Sequence, residues 1–225
     1  TDLRSRFLLC CDGNLSTEGA GPRKSLERLF RQYGLPEAIR SDNGAPFAST
    51  GIGRLTRLGV WLVSLGVTRQ LIEPGRPDQN GKHERMHRTL KDRVTRPPAA
   101  NLRRQQAAFD EFQREFNEER PHEALGMKRP AEVYAPSRRC YPETIPPVEY
   151  PGHYEVRRVS RNGGVRWNGE WLNVGHALIE ENVGFEEVDD GVWDLHFRNL
   201  AIGRFDEREL RLVGTMATHP RCGKR

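Results

Sequence analysis

Gly81-Lys82-His83-Glu84-Arg85-Met86-His87-Arg88-Thr89-Leu90-Lys91 is a strongly basic run with a single acid, Glu84, set inside it. Loop chemistry precedes it, because Pro74, Gly75, Pro77 and Gly81 break regular structure over residues 73–81, and Pro97-Pro98 follows it. The spacing between these breakers predicts a helix over residues 82–95. At 100° per residue Glu84, Arg88 and Lys91 fall within about 60° of one another, while Met86, Leu90 and Val94 cluster roughly opposite. One face is built to pack and the other to meet a partner. A carboxylate on that basic face would repel phosphate if the helix only bound DNA. It is well suited to holding a divalent cation beside a phosphodiester. A second acid, Asp42, stands in the turn Ser41-Asp42-Asn43-Gly44, and the two together point to chemistry on a nucleic acid.

Upstream of that helix, Phe7 to Asp12 reads as a buried strand, and Ser25 to Tyr33 as a helix with Leu26, Leu29 and Phe30 on one side, ended by Gly34. Leu35 to Arg40 is a short extended piece that delivers Asp42. Leu55 to Leu65 is an apolar-periodic helix closed by Gly66, and Val67 to Ile72 a short strand. Alternating strands and helices predict an α/β layer. Downstream, Gln105 to Glu119 forms a helix with Phe109, Phe112 and Phe116 on one side, stopped by Pro121. Six prolines between Pro130 and Pro151 then make a stiff connector. From His153 the texture becomes β. Five short strands, Val156 to Val159, Gly164 to Trp167, Glu170 to Val174, Gly191 to Phe197 and Leu200 to Arg204, are separated by turn pairs such as Asn162-Gly163, Asn168-Gly169 and Arg198-Asn199. They predict a small barrel with Trp167, Trp171 and Trp193 filling its core. The predicted division is a core over residues 1–135, a proline-rich linker over 136–152, a β domain over 153–214 and a basic tail over 215–225.

The 225 residues carry a net charge of +5, and the basic excess is concentrated, with 12 Lys and Arg against 4 Asp and Glu over residues 54–104, while residues 141–225 are net acidic. A local basic surplus points to a polyanionic partner. Cys10, Cys11, Cys140 and Cys222 show no Cys-x-x-Cys spacing, which excludes a zinc module or a disulfide scaffold and predicts reduced thiols. The apolar run from Phe7 to Cys11 is too short for a signal sequence or a membrane span.

Three strings, in order, resemble one family. They are Tyr33-Gly34-Leu35-Pro36-Glu37-Ala38-Ile39-Arg40-Ser41-Asp42-Asn43-Gly44-Ala45-Pro46-Phe47, then Pro77-Asp78-Gln79-Asn80-Gly81-Lys82-His83-Glu84-Arg85, then Phe116-Asn117-Glu118-Glu119-Arg120-Pro121-His122-Glu123-Ala124-Leu125-Gly126 with Pro130. Together they look like the integrase catalytic core of bacterial insertion-sequence transposases, itself similar to retroviral integrases, over roughly residues 1–137. The resemblance implies a ribonuclease H-like α/β core, here lacking its first strand, followed by a small all-β, SH3-like barrel. It implies an Asp, Asp, Glu triad that binds two Mg²⁺ or Mn²⁺ ions, with Asp42 matching the second acid and Glu84 the third. The first acid belongs to an opening strand that has no match here. Asp2 matches the following hairpin, Asp12 has no matching string, and neither is assigned to the metal. The chain therefore looks like an amino-terminally truncated transposase, expected to be inactive by itself.

The same resemblance assigns Lys82, Arg85, Arg88 and Lys91 to phosphate contacts. It leaves Asn80 either touching the DNA end or capping the helix, while His87 is read as a surface histidine, with a phosphate contact or an acid partner as the alternatives. It reads Arg120, Pro121 and His122 as structural. The implied activity is hydrolysis at transposon ends followed by strand transfer into target DNA within a homo-multimer, in the bacterial cytoplasm at the nucleoid, with no membrane. Two alternatives are a non-catalytic DNA-binding remnant and a ribonuclease H-like nuclease.

Overall fold

A computed structural model of the chain describes residues 1–13 and 21–214. The chain divides into two compact units, one of residues 1–42 with 70–141 and the other of residues 43–69 with 142–225. Cys222 and the basic tail from residue 215 lie outside the described residues.

The first unit opens with helix α1 (Gly21–Tyr33), which buries Leu29 and Phe30. Gly34 ends it at φ +80°, and a Cβ there would stand 2.5 Å from the Ser137 carbonyl oxygen, so the close crossing needs glycine. That crossing is hydrogen-bonded on both sides, Leu35 N–H donating to Arg139 O (2.7 Å) and Ser137 N–H to Tyr33 O (2.8 Å). Strand β1 (Ala38–Ser41) follows and pairs with β2 (Thr68–Leu71), through which the division between the units runs.

A 3₁₀ turn over Pro77–Asn80 leads into helix α3 (Gly81–Val94), and helix α4 (Leu102–Arg114) comes next, capped by the Asn101 side chain, which accepts from Arg104 N–H (3.0 Å). These two helices pack together as the sequence periodicity predicts. Met86 and Leu90 from α3 meet Phe112 and Phe116 from the α4 side, with Leu8, Val94 and Phe109, in one apolar cluster. The fourth helix starts three residues earlier than predicted, and its last five predicted residues, Glu115–Glu119, widen into a π turn closed by Arg120 N–H to Glu115 O (3.0 Å).

Phe7 to Asp12 is extended but joins no ladder among the described residues, contrary to the strand predicted there. Side-chain amides replace the missing neighbour. Asn117 accepts from Leu8 N–H (2.8 Å) and donates to Leu8 O (3.0 Å). Gln113 donates to Leu8 O (2.9 Å) and Leu9 O (3.0 Å), while Gln106 donates to Cys11 O (3.0 Å) and accepts from Gly13 N–H (2.9 Å). A buried backbone group must find some partner, and α4 with the π turn after it supplies one.

The second unit combines helix α2 (Arg57–Ser64), capped by Thr56, with six strands. Strands β3 (Glu155–Arg158), β6 (Asn182–Asp189), β7 (Val192–Phe197) and β8 (Leu200–Asp206) form an antiparallel sheet in the order β3-β6-β7-β8. Strands β4 (Gly164–Trp167) and β5 (Glu170–Asn173) form a hairpin across Asn168-Gly169, both at positive φ as a two-residue turn of this kind requires. Inside, Trp167 packs against Phe185, Trp193 and Phe205 with ring centroids 4.7–5.2 Å apart, and Leu55, Val60 and Val63 belong to the same core.

Two predictions for this unit are corrected. Trp171 lies outside the core, 43% exposed, because β5 turns it onto the face where Gly164 makes room, and a Cβ on Gly164 would stand 2.6 Å from its ring. Strand β6 was not expected at all. Its inward residues are only Val183 and Phe185, set among Asn182, Gly184, Glu186 and Glu187, so the alternation is short. Gly184 faces the Tyr150 and Tyr154 rings, which would lie 2.6–2.7 Å from a Cβ there.

Candidate active site in the first unit

Asp42 directly follows β1, and its side chain is exposed. The strand holds it in place through Ile72 N–H donating to Ser41 O (3.1 Å). Glu84 stands in the first turn of α3 and is exposed as well. Both acids belong to the first unit.

A guanidinium ties their two elements together. Arg40, two residues before Asp42, donates to Gln70 Oε1 (3.2 Å) on β2 and to Gln79 O (3.2 Å), two residues before α3 begins. Gln79 Oε1 in turn accepts from Glu73 N–H (3.0 Å), closing the loop between β2 and the helix. The planar fork of Arg suits two acceptors at a fixed separation. The end of β1 and the entry of α3 are thereby held as neighbours, and the Asp42 charge is near enough to act on His83, the residue beside Glu84.

The five residues expected to meet DNA sit around this entry. Asn80 occupies the N-cap position of α3 but makes no capping hydrogen bond with its side chain. Lys82 lies in the first turn of the helix. Arg85, Arg88 and Lys91 are exposed along α3, while Met86 and Leu90 are buried on its other side. The basic face is thus presented to solvent.

Asp12 is committed elsewhere, to Arg28 (2.7 Å) and Ser25 (2.7 Å) on α1. Asp2 caps the first turn, accepting from Ser5 N–H (2.7 Å) and Ser5 Oγ (2.6 Å). His122, read as structural, lies edge-on to Phe116 with centroids 4.8 Å apart, and its backbone N–H donates to Lys128 O (3.1 Å). Cys10, Cys11 and Cys140 are free thiols, and burial pushes Cys11 up to about 11, which keeps it protonated and a poor metal ligand.

The carboxylate donors fit hard divalent cations, which take oxygen ligands. Among the described residues no group of three His, Cys, Asp or Glu is placed to hold a metal.

Two features of this region were not read from the sequence. Arg40 carries no signal in a linear string, since its clamp exists only once β1, β2 and the loop have met. The pair His83 and His87 did carry one, the four-residue spacing of two histidines on a helix. Their rings lie 4.6 Å apart. Burial lowers His83 to about 4, with His87 and the Thr1 amino group adding to the effect and Asp42 opposing it, and burial likewise lowers His87.

Residues 65–130 match the integrase core domain, and residues 154–211 match the C-terminal domain of IS481 family transposases. The chain is 31% identical over 116 residues to an uncharacterized 31.7 kDa protein of insertion element IS407 from Burkholderia multivorans, covering 51% of this chain and 40% of that protein. It is 39% identical over 74 residues to the Gag-Pol polyprotein of baboon endogenous virus, covering 33% of this chain and 4% of that one. A simian T-cell lymphotropic virus intasome, solved in complex with PP2A regulatory subunit B56 gamma, aligns at 17% identity with a TM-score of 0.42 over 91% of this chain and 66% of that chain. The chain spans less than half the length of the insertion-element proteins it resembles. Residues 65–130 thus carry an integrase core domain, and residues 154–211 a small β domain of the IS481 transposase type.

Proposed function

We propose that Asp42 and Glu84 are two carboxylates of a metal-assisted phosphodiester site, and that the exposed face of α3 guides DNA to it. The observation that carries this reading is the Arg40 clamp, which fixes the strand end bearing Asp42 against the entry of the helix bearing Glu84. Asp42 and Glu84 would hold Mg²⁺ or Mn²⁺ through their carboxylate oxygens, and such ions would supply activation of a water or a DNA 3′-hydroxyl and stabilisation of the leaving oxygen. Arg85, Arg88 and Lys91 neutralise phosphates along the helix, and Asn80 and Lys82 meet the strand where it approaches the metal ligands. In the whole protein the substrate is the transposon end and then the target DNA, handled by a homo-multimer at the bacterial nucleoid. A second reading, a chain that binds DNA without cleaving it, is favoured by the lack of a third ligand beside the pair among the described residues.

The test is a Mn²⁺ titration followed by calorimetry, together with duplex binding followed by anisotropy at several salt concentrations. Asp42→Asn and Glu84→Gln are each expected to weaken Mn²⁺ binding at least about tenfold. Arg88→Ala with Lys91→Ala is expected to lower the salt slope of duplex binding by about two. Unchanged Mn²⁺ affinity in both carboxylate variants would overturn the metal site. Duplex binding without any cut or joined product in Mg²⁺ or Mn²⁺ would select the second reading.

A further inference from the structure

His83-Glu84-Arg85-Met86-His87 sets two histidines four residues apart, on one face of α3 and one turn from each other. Met86, between them in sequence, points into the core, while His87 is exposed and open to ions from solvent. The ring centroids are 4.6 Å apart, with the planes at 41°.

That separation has a chemical meaning. An imidazole nitrogen binds zinc at about 2.0–2.1 Å, which puts the ion roughly 3.2 Å from the ring centre, so two rings sharing one ion at about 90–110° have centroids about 4.5–5.2 Å apart. The observed pair falls within this window with the helix as it stands. Two histidines four apart on a helix are also the ligand pair of zinc enzymes with an H-E-x-x-H helix.

We propose that His83 and His87 form a two-imidazole chelate for one borderline divalent ion of the zinc, cobalt, nickel and copper class, with water completing its coordination. The site differs in kind from the carboxylate pair beside it. Imidazoles select zinc, copper, nickel and cobalt, whereas Asp42 and Glu84 select magnesium and manganese. No third His, Cys, Asp or Glu completes the group among the described residues, so this is an open chelate rather than a closed structural site. Asp42 lies near enough for its charge to favour a cation at His83, and Lys91, one turn beyond His87, works against it. The proposal stands on the helix geometry and does not rest on the reading of Asp42 and Glu84.

The test uses the full chain with its thiols alkylated, so that cysteine cannot bind the probe. Co²⁺ is titrated by its visible absorption and then displaced with Zn²⁺, for the unsubstituted chain and for His83→Gln, His87→Gln, the double variant and Glu84→Gln. One equivalent of Co²⁺ is expected, fully displaced by Zn²⁺. Each single histidine variant should weaken binding at least about tenfold, the double variant should abolish it, and Glu84→Gln should keep it within about threefold. Circular dichroism of His87→Gln, a change at an exposed position, verifies that the fold is intact. Zinc binding that survives His87→Gln, or that is lost with Glu84→Gln alone, would overturn the proposal. Loss of Mn²⁺ binding in Glu84→Gln with zinc retained separates the fate of this site from that of the carboxylate pair.

Discussion

Glu132 does with hydrogen bonds what Asp42 and Glu84 are proposed to do with metal. It accepts from Arg129 N–H (2.7 Å) and from the Arg129 guanidinium (2.9 Å), forming a capping box for the short helix α5 (Pro130–Val133), while Arg129 also reaches Glu118 O (3.2 Å). These bonds to its charged form hold the Glu132 carboxyl at about 2, against an ordinary 4.5. A carboxylate depressed by folding contributes stability above its unfolded pKa and loses it as pH falls toward the folded one. Urea midpoints of the unsubstituted chain and Glu132→Gln should therefore differ at pH 6, with the unsubstituted chain the more stable. The gap should shrink as pH drops from about 4.5 toward 2. A gap that stays constant over that range would mean that the side chain acts through packing alone. The group is exposed, so the difference is expected to be small and to fall with salt.

At the scale of elements, the extended segment over residues 7–13 is the unusual feature, because its backbone is held by amide side chains in place of a neighbouring strand. Asn117, 4% exposed, is the only donor-acceptor pair on both sides of Leu8 among the described residues. Removing it leaves the buried Leu8 N–H without a partner, whereas Leu8 O keeps Gln113. Asn117→Ala should destabilise the chain by about 1–3 kcal/mol, the cost of an unsatisfied buried donor. Gln113→Ala should cost less, because Leu8 O still has Asn117 and the Leu9 carbonyl is only half-buried. Equal losses for the two variants in urea unfolding would show that the segment is held mainly by the apolar cluster around Leu8. The string Phe116-Asn117 through Pro121 thus has a local physical meaning here. Phe116 packs, Asn117 binds backbone, and the helix widens into a π turn so that both side chains reach their partners.

At the scale of the whole molecule, the second unit is assembled from two stretches that are far apart in sequence. Leu55, Val60 and Val63 are 3%, 5% and 8% exposed, and they share a core with Val165, Phe185, Leu195 and Ile202. A fragment of residues 142–225 lacks these three side chains, each worth about 1.5–3 kcal/mol when fully buried. It should unfold at lower denaturant than the full chain and bind an apolar dye in its absence. A fragment with the full chain's midpoint and no dye binding would show that the β sheet closes its core alone. No helix among the described residues is long and apolar enough to cross a membrane.

Periodicity alone determined much of what was read correctly. Met86 and Leu90 opposite Glu84, Arg88 and Lys91, and the Phe109, Phe112, Phe116 stripe, were legible because a helix turns neighbours in sequence into neighbours on one face. Asn168-Gly169 was legible because few residue pairs accept two positive φ angles. The rest required the folded chain. Phe7 to Asp12 has the composition of a strand, but whether it pairs depends on what lies beside it, and side chains from α4 lie there. Val183 and Phe185 are too few to mark β6 amid acids, and they are buried only because β3 and β7 flank them. Trp171 is apolar enough for a core, yet in the hairpin it pairs with the exposed Arg166 and lays its ring over Gly164 on the outer face. The nearness of Asp42 to α3 belongs to this second kind. The sequence supplies the two acids, but only the Arg40 clamp across β1, β2 and the loop ties the end of the strand before Asp42 to the entry of the helix bearing Glu84, because local sequence controls local backbone and long-range contacts are settled by tertiary packing.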